Sequence, residues 1–310
     1  MGDCCRHANF FRLCSGLRVL GYAMVLLVAI IVAVSYYAVV FVAWGPRLLH
    51  GGPLSILAFA VVVPFHILLV MLVWSYLMVV FHDPGAVPMD WYPASKDNIE
   101  ATSSASLSDH TALDARMSSL EESERRPSIR YCSHCQNNKP PRCHHCSVCQ
   151  KCVLKMDHHC VWVVNCVGAR NYKFFVLFLF YTFLETVLDT LALLPYFIKF
   201  FGDARNHSGS PGHLAVTFLS FVLNLAFALS LLCFVIMHTS LLLSNTTTIE
   251  VHEKKNVVEW KYDIGKRRNF EQVFGTNKLL WFFPMYSKHD LENIPALLGL
   301  EFPTRSDFEV

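Results

Sequence analysis

Four stretches of this chain, 19–44, 54–81, 174–198 and 214–243, each exceed the roughly 20 apolar residues that a helix needs to cross a hydrocarbon core of about 30 Å. Lipid offers no partner for backbone N–H and C=O groups, so a spanning segment must satisfy them internally, as a helix does. The alternative is a set of buried helices in a soluble protein, but such helices carry a polar stripe and rarely run so long without charge. Composition agrees, with 54% of the 310 residues apolar and 16% charged. The expected fold class is an all-α integral membrane protein with four transmembrane helices.

The formal net charge of +2 says little, but its distribution orients the chain. Lys and Arg are retained on the cytoplasmic side of a membrane. Loop 45–51 carries only Arg47 and loop 201–212 only Arg205, whereas 82–173 carries eleven Lys/Arg and 244–310 carries nine. The central segment and both termini are therefore expected in the cytosol. The first span starts too deep and runs too long for a cleaved signal peptide, so it reads as a signal anchor. Met1-Gly2 is a weak myristoylation signal, because Arg6 stands where Ser or Thr is preferred. Cys4 and Cys5 beside it are candidates for acylation or plain thiols. Asn206-His207-Ser208 is a glycosylation sequon on the opposite side, close to two helix ends where access is poor.

These features divide the chain into an N-terminus (1–18), a first helix pair (19–81), a linker (82–130), a Cys-rich segment (131–173), a second helix pair (174–243) and a tail (244–310). Asp83-Pro84-Gly85 marks a turn at the membrane boundary. From 96 to 128 the sequence is rich in Ser, Ala, Asp and Glu and reads as disordered. Short charged and aromatic clusters in the tail, such as Trp281-Phe282-Phe283, suit a segment lying on the membrane surface. No nucleic acid is expected as a partner.

Between Cys132 and Cys166 lie eight cysteines and five histidines. In a reducing cytosol disulfides seldom persist, and a ladder of Cys-x-x-Cys steps reads as zinc coordination. Two tetrahedral sites would consume eight of the thirteen side chains. So short a segment has little apolar core, and metal would supply its folding free energy. Spacing does not say which ligands share an ion, since Cys146 stands three residues from both Cys143 and Cys149. The surplus matters more. Asp157-His158-His159-Cys160 sets a cysteine beside histidine and aspartate, the parts of an activated thiol, although further zinc ligation is an equal reading.

At these residues the chain resembles the DHHC protein S-acyltransferase family, in the form found in plants. The likeness covers the four spans, Asp83-Pro84-Gly85, Cys132-x-x-Cys135, Lys139-Pro140-x-Arg142 and His144-His145-Cys146. It continues through Asp157-His158-His159-Cys160, Asn165-Cys166-Val167-Gly168, Asn171, Thr247-Thr248-Ile249-Glu250 and an Asn269…Gly275 element. The resemblance implies a small cytosolic two-zinc domain between helices 2 and 3. One structural Zn2+ would be held by Cys132, Cys135, His145 and Cys152, and the other by Cys146, Cys149, His159 and Cys166. It implies Cys160 as nucleophile, His158 as its base and Asp157 as the group orienting His158. The implied reaction takes a long acyl chain from acyl-CoA, palmitoyl-CoA above all, through a Cys160 thioester to cysteines of cytosol-facing proteins. The four helices would enclose the chain. The implied setting is the Golgi, another endomembrane or the plasma membrane.

Val161 stands where most family members have Pro, and Glu185 and Asp189 lie four apart inside the third span. Glu185 either lines the deep end of an acyl cavity or makes a polar contact to His66, Asn224 or another helix. Thr247-x-x-Glu250 also fits a helix capping box. Cys143 and His134 have no assigned role. The rival readings are a membrane-anchored zinc module, such as a RING-like ubiquitin ligase, and an inert scaffold.

Overall fold

The computed structural model describes residues 10–93, 129–202, 210–253 and 260–308, with side chains from residue 19 onward in the first helix. The expectations for Gly2, Cys4, Cys5, the 96–128 linker and Asn206 lie outside the described residues.

Helix α1 (Phe10–Tyr36) widens into a π-helical stretch, Tyr37–Trp44, and closes with α2 (Gly45–Leu48). Helix α3 covers Pro53–Phe81, α4 Tyr172–Gly202 and α5 Pro211–Leu243. The membrane-spanning stretches, Val19–Leu48, Pro53–Phe81, Tyr172–Phe201 and Pro211–Leu243, match the four apolar runs to within a few residues at each end. Pro53 and Pro211 open their helices, where a missing N–H costs nothing. The π-helical stretch was not legible in the sequence; there the Gly45 N–H bonds back to the Val40 carbonyl.

Helix α4 is the axis of the bundle. Half of its most apolar window is buried against protein, against 11% for the first span. It also has the lowest hydropathy of the four, because it carries buried Thr186, Glu185 and Asp189 toward its neighbours. Two apolar clusters hold the helices. Tyr76, Val79, Phe174 and Phe178 form one near the Cys-rich segment, and Val39, Phe65, Leu193 and Phe221 form one at the far end.

The Cys-rich segment adds short strands to an otherwise helical chain. It consists of three antiparallel hairpins: β1 (Tyr131–Cys132) with β2 (Asn137–Asn138), β3 (His144–Cys146) with β4 (Lys151–Val153), and β5 (His158–Cys160) with β6 (Asn165–Val167). The hairpins repeat at a constant interval. Cys132, Cys146 and Cys160 each end a first strand, and Gln136, Gln150 and Val164 each turn the chain with positive φ. The Cys-x-x-Cys ladder is therefore the fine structure of a longer repeat.

The module is seated on the helices through Asp83-Pro84-Gly85. Leu154 donates to the Gly85 carbonyl at 2.9 Å and Arg170 to that of Pro84 at 3.2 Å. Gly168 fits this crossing because a Cβ there would lie 2.7 Å from the Pro84 oxygen. The tail forms α6 (Glu250–Glu253), α7 (Lys266–Phe274), α8 (Lys288–Asn293) and α9 (Pro295–Leu298). It is docked on the helices. The buried Lys173 ammonium donates to the carbonyls of Phe274, Leu280 and Met285, and the Tyr181 hydroxyl donates to that of Phe282 at 2.6 Å. Asn269, fully buried, donates to the Leu243 carbonyl and to Asp263, each at 2.7 Å.

Candidate active site and metal centres

Strand side chains alternate between faces, and that period sorts the ligands. Within β3 and β4, His145 lies directly opposite Cys152, so both point to one face while Cys146 points to the other. Within β5 and β6, His159 lies opposite Cys166, and His158 and Cys160 share the reverse face. The donor pair on each hairpin meets the Cys-x-x-Cys turn of the hairpin before it. Among the described residues two four-donor groups result, Cys132, Cys135, His145, Cys152 and Cys146, Cys149, His159, Cys166, with all donor atoms of a group within 4.8 Å of one another.

Both groups fit zinc. A tetrahedral ion with Zn–S of about 2.3 Å and Zn–N of about 2.0 Å sets its donors roughly 3.5–3.8 Å apart. His159 Nδ1 lies 3.7, 3.4 and 3.6 Å from the sulfurs of Cys146, Cys149 and Cys166, and Cys149 and Cys166 lie 3.5 Å apart. His145 Nδ1 lies 3.7 and 3.3 Å from Cys132 and Cys135. His134 stacks on His145 with ring centroids 4.9 Å apart, and Cys143 is wholly buried with Cys132 and Cys152.

Cys160 belongs to neither group. It shares its strand face with His158, whose Nδ1 bonds Asp157 Oδ2 at 2.7 Å. The second Asp157 oxygen accepts the Thr248 backbone N–H at 2.9 Å, and the Thr248 hydroxyl donates to the Asp157 carbonyl at 2.6 Å. Asp157 is thus fixed from both sides. Burial works against a charged His158, but the hydrogen bond to Asp157, followed by the interaction with the Cys160 sulfur, outweighs it and lifts its pKa to about 9. Burial works against a charged Asp157 as well, yet its bond to His158 keeps the carboxyl below the usual range. An imidazole of raised basicity beside a thiol favours proton transfer from sulfur to ring.

The tail reaches this site through a buried ion pair. Arg142 grips Glu250 with two bonds of 2.7 and 2.6 Å and also holds Asn245. Glu250 in turn accepts the Thr247 N–H at 2.9 Å, and the Thr247 hydroxyl accepts the Glu250 N–H at 3.2 Å. The capping box and the tail contact are therefore one structure. Lys155 donates to Asn245 at 3.0 Å; burial first, then the neighbouring Arg142 charge, holds its pKa well below the lysine range.

His158 and Cys160 stand at the mouth of a cavity of about 370 Å³ that runs down between the helices. Val161 and Trp162 line the same mouth, while Glu185, Asp189 and Asn224 line its far end. Glu185 makes no side-chain hydrogen bond to His66 or Asn224 among the described residues.

The sequence reading missed His238. Its ring lies 6.0 Å from that of His158 and 5.1 Å from Phe175, and its Nδ1 is 3.2 Å from the Tyr172 hydroxyl. An ionisable side chain inside an apolar span was the available signal. Val163 was also missed, although its position in the third turn is where the first two turns carry cysteine.

A family model described as DHHC palmitoyltransferase matches residues 126–255. The chain is 59% identical to "Probable protein S-acyltransferase 12" of Arabidopsis thaliana over 97% of this chain and 99% of that protein. It is 54% identical to "Probable protein S-acyltransferase 14" of the same plant, covering 97% and 96%. It is 35% identical to "Palmitoyltransferase ZDHHC20" of Homo sapiens, covering 96% of this chain and 80% of that protein.

Proposed function

Because this chain belongs to the DHHC palmitoyltransferase family and is a protein S-acyltransferase, we propose that Cys160 is the atom that carries the acyl group. The donor is a long-chain acyl-CoA, palmitoyl-CoA above all. His158 accepts the Cys160 proton, and the sulfur attacks the carbonyl carbon of the donor thioester. The bond from that carbon to the CoA sulfur breaks, and His158 returns the proton to the departing thiolate. In the second step a cysteine thiol of the acceptor protein attacks the same carbonyl, gives its proton to His158 and releases Cys160. Asp157 holds the imidazole in the tautomer and orientation that both steps use. A thioester is exchanged for a thioester, so little driving force is lost.

The four-ligand groups would each hold a structural Zn2+, which locks successive hairpins together. Cys132, Cys135, His145 and Cys152 would hold the first, and Cys146, Cys149, His159 and Cys166 the second. Burial at about 0.8 kcal/mol per CH2 would draw the acyl chain into the cavity below Cys160. The Lys/Arg excess of the central segment and tail supports a cytosolic active site and cytosolic termini, with acceptors drawn from proteins at that membrane face. We place the enzyme in the Golgi or another endomembrane and read 131–173 as its catalytic module.

The position of Cys160 carries this reading: it lies outside both ligand groups, beside His158 and above the cavity. A RING-like reading would need it as a structural ligand. Purified enzyme given labelled palmitoyl-CoA is expected to form a hydroxylamine-sensitive adduct that Cys160→Ser abolishes with zinc content unchanged. Label retained in that variant, or zinc lost from it, would overturn the proposal.

A further inference from the structure

The far end of the cavity is polar where a saturated acyl chain is most apolar. Along α4 the wall is made by Phe175, Phe178, Leu179, Thr182, Glu185 and Asp189, all on one helical face. Along this helix the lining changes from aromatic to oxygen-bearing with depth, while Phe65 of the far-end cluster lines the cavity from α3. Phe175 meets the His158 ring at 5.1 Å. Ten residues further along, at about 1.5 Å each, Glu185 lies roughly 15 Å deeper. That is half of a hydrocarbon core of about 30 Å, the depth one lipid tail occupies. A chain of membrane length held on Cys160 therefore ends at Glu185.

Glu185 is 5% exposed, and neither carboxyl oxygen has a hydrogen-bond partner among the described residues. One oxygen of Asp189, which is 1% exposed, is in the same state. Asn224 donates to the Ser35 hydroxyl at 2.9 Å on the same floor, and both line the cavity. Buried polar atoms without partners are costly, and a terminal methyl group leaves that cost in place. A hydroxyl, which both donates and accepts, removes it.

We propose that this floor is a subsite for an oxygenated acyl terminus, so that an ω-hydroxylated long-chain acyl-CoA is a better donor than its methyl-terminated counterpart of equal length. The inference rests on the acyl-CoA reading above. The test is a competition between the two donors across a series of chain lengths, with the thioester on Cys160 read by mass spectrometry of the intact enzyme. At the length that reaches Glu185 the hydroxylated chain is expected to win by about tenfold. Glu185→Leu is expected to shift that ratio toward the methyl-terminated chain by at least as much, and Glu185→Gln, which keeps a hydrogen-bonding end, to preserve it. A methyl preference at every length, or a ratio that neither Glu185→Leu nor Asp189→Asn moves, overturns the subsite and leaves acyl transfer standing. No thioester with any donor overturns both.

Discussion

In the second hairpin of the Cys-rich module His145 lies across from Cys152 and Cys146 starts a Cys-x-x-Cys turn; in the third, His159 lies across from Cys166 and Cys160 starts Cys-Val-Trp-Val. The two share strand register and a left-handed turn residue, Gln150 at φ 55° and Val164 at φ 51°. Of the positions where they differ, two bear on the sulfur. Cys149 faces His159 as a metal donor, whereas Val163 is wholly buried against the helices with Tyr76 and Val79. Cys143 precedes the second hairpin where Asp157 precedes the third. One lost thiol therefore takes Cys160 out of a cage, and one gained carboxylate orients the histidine beside it. On the proposed reading, the position that begins a ligand pair in the second hairpin carries the acyl group in the third, where Val163 seats the turn among the helices instead of binding metal.

Exchanging the same sulfur in the two hairpins gives the largest contrast. Cys146→Ser is expected to lower zinc from two to one per chain and to unfold the module, because a structural site supplies on the order of 10 kcal/mol. Metal analysis with limited proteolysis reads both effects, and intact zinc in that variant would dissolve the distinction from Cys160. Smaller is the effect of Arg142→Met, which strands buried Glu250 and loosens the grip of Thr248 on Asp157. Breaking such a pair costs about 3–5 kcal/mol, visible as a lower thermal midpoint. His158→Ala is expected to slow Cys160 thioester formation by about 10²–10⁴-fold at unchanged zinc content. His144, the matching residue of the second hairpin, is expected to be dispensable for that rate in single-turnover assays. The smallest effect, about 1 kcal/mol, is expected for Val163→Cys. That variant restores the Cys-x-x-Cys turn without a following hairpin to complete the cage, so zinc is expected to stay at two per chain; a third equivalent would show that the turn alone captures metal.

The four spans were legible because lipid imposes one requirement, length without charge, that composition records directly. That the segment holds donors enough for two zinc sites was legible from ligand supply. Ligand pairing was not, because Cys146 is equally spaced from Cys143 and Cys149; it follows from which residues face each other across a hairpin, a property of pairing that no linear interval states. The resemblance proposed the same two sets, and the hairpin registers supply their physical reason. His238 escaped, and the two readings of Glu185 stayed open, for a related cause. Their meaning lies in which helix faces converge, and α4 alone does not reveal what stands opposite Glu185.

The seat of the third turn joins segments made far apart in time. The methyl groups of Val164 press on Gly21 of α1, where a Cβ would stand 2.9 Å away. During synthesis the first span leaves the ribosome and enters the bilayer well before the third hairpin exists. The third turn gains its final surroundings only when that hairpin finds the waiting helix. A bulkier residue at Gly21 would accordingly act as a maturation defect, far along the chain from the sulfur it disables.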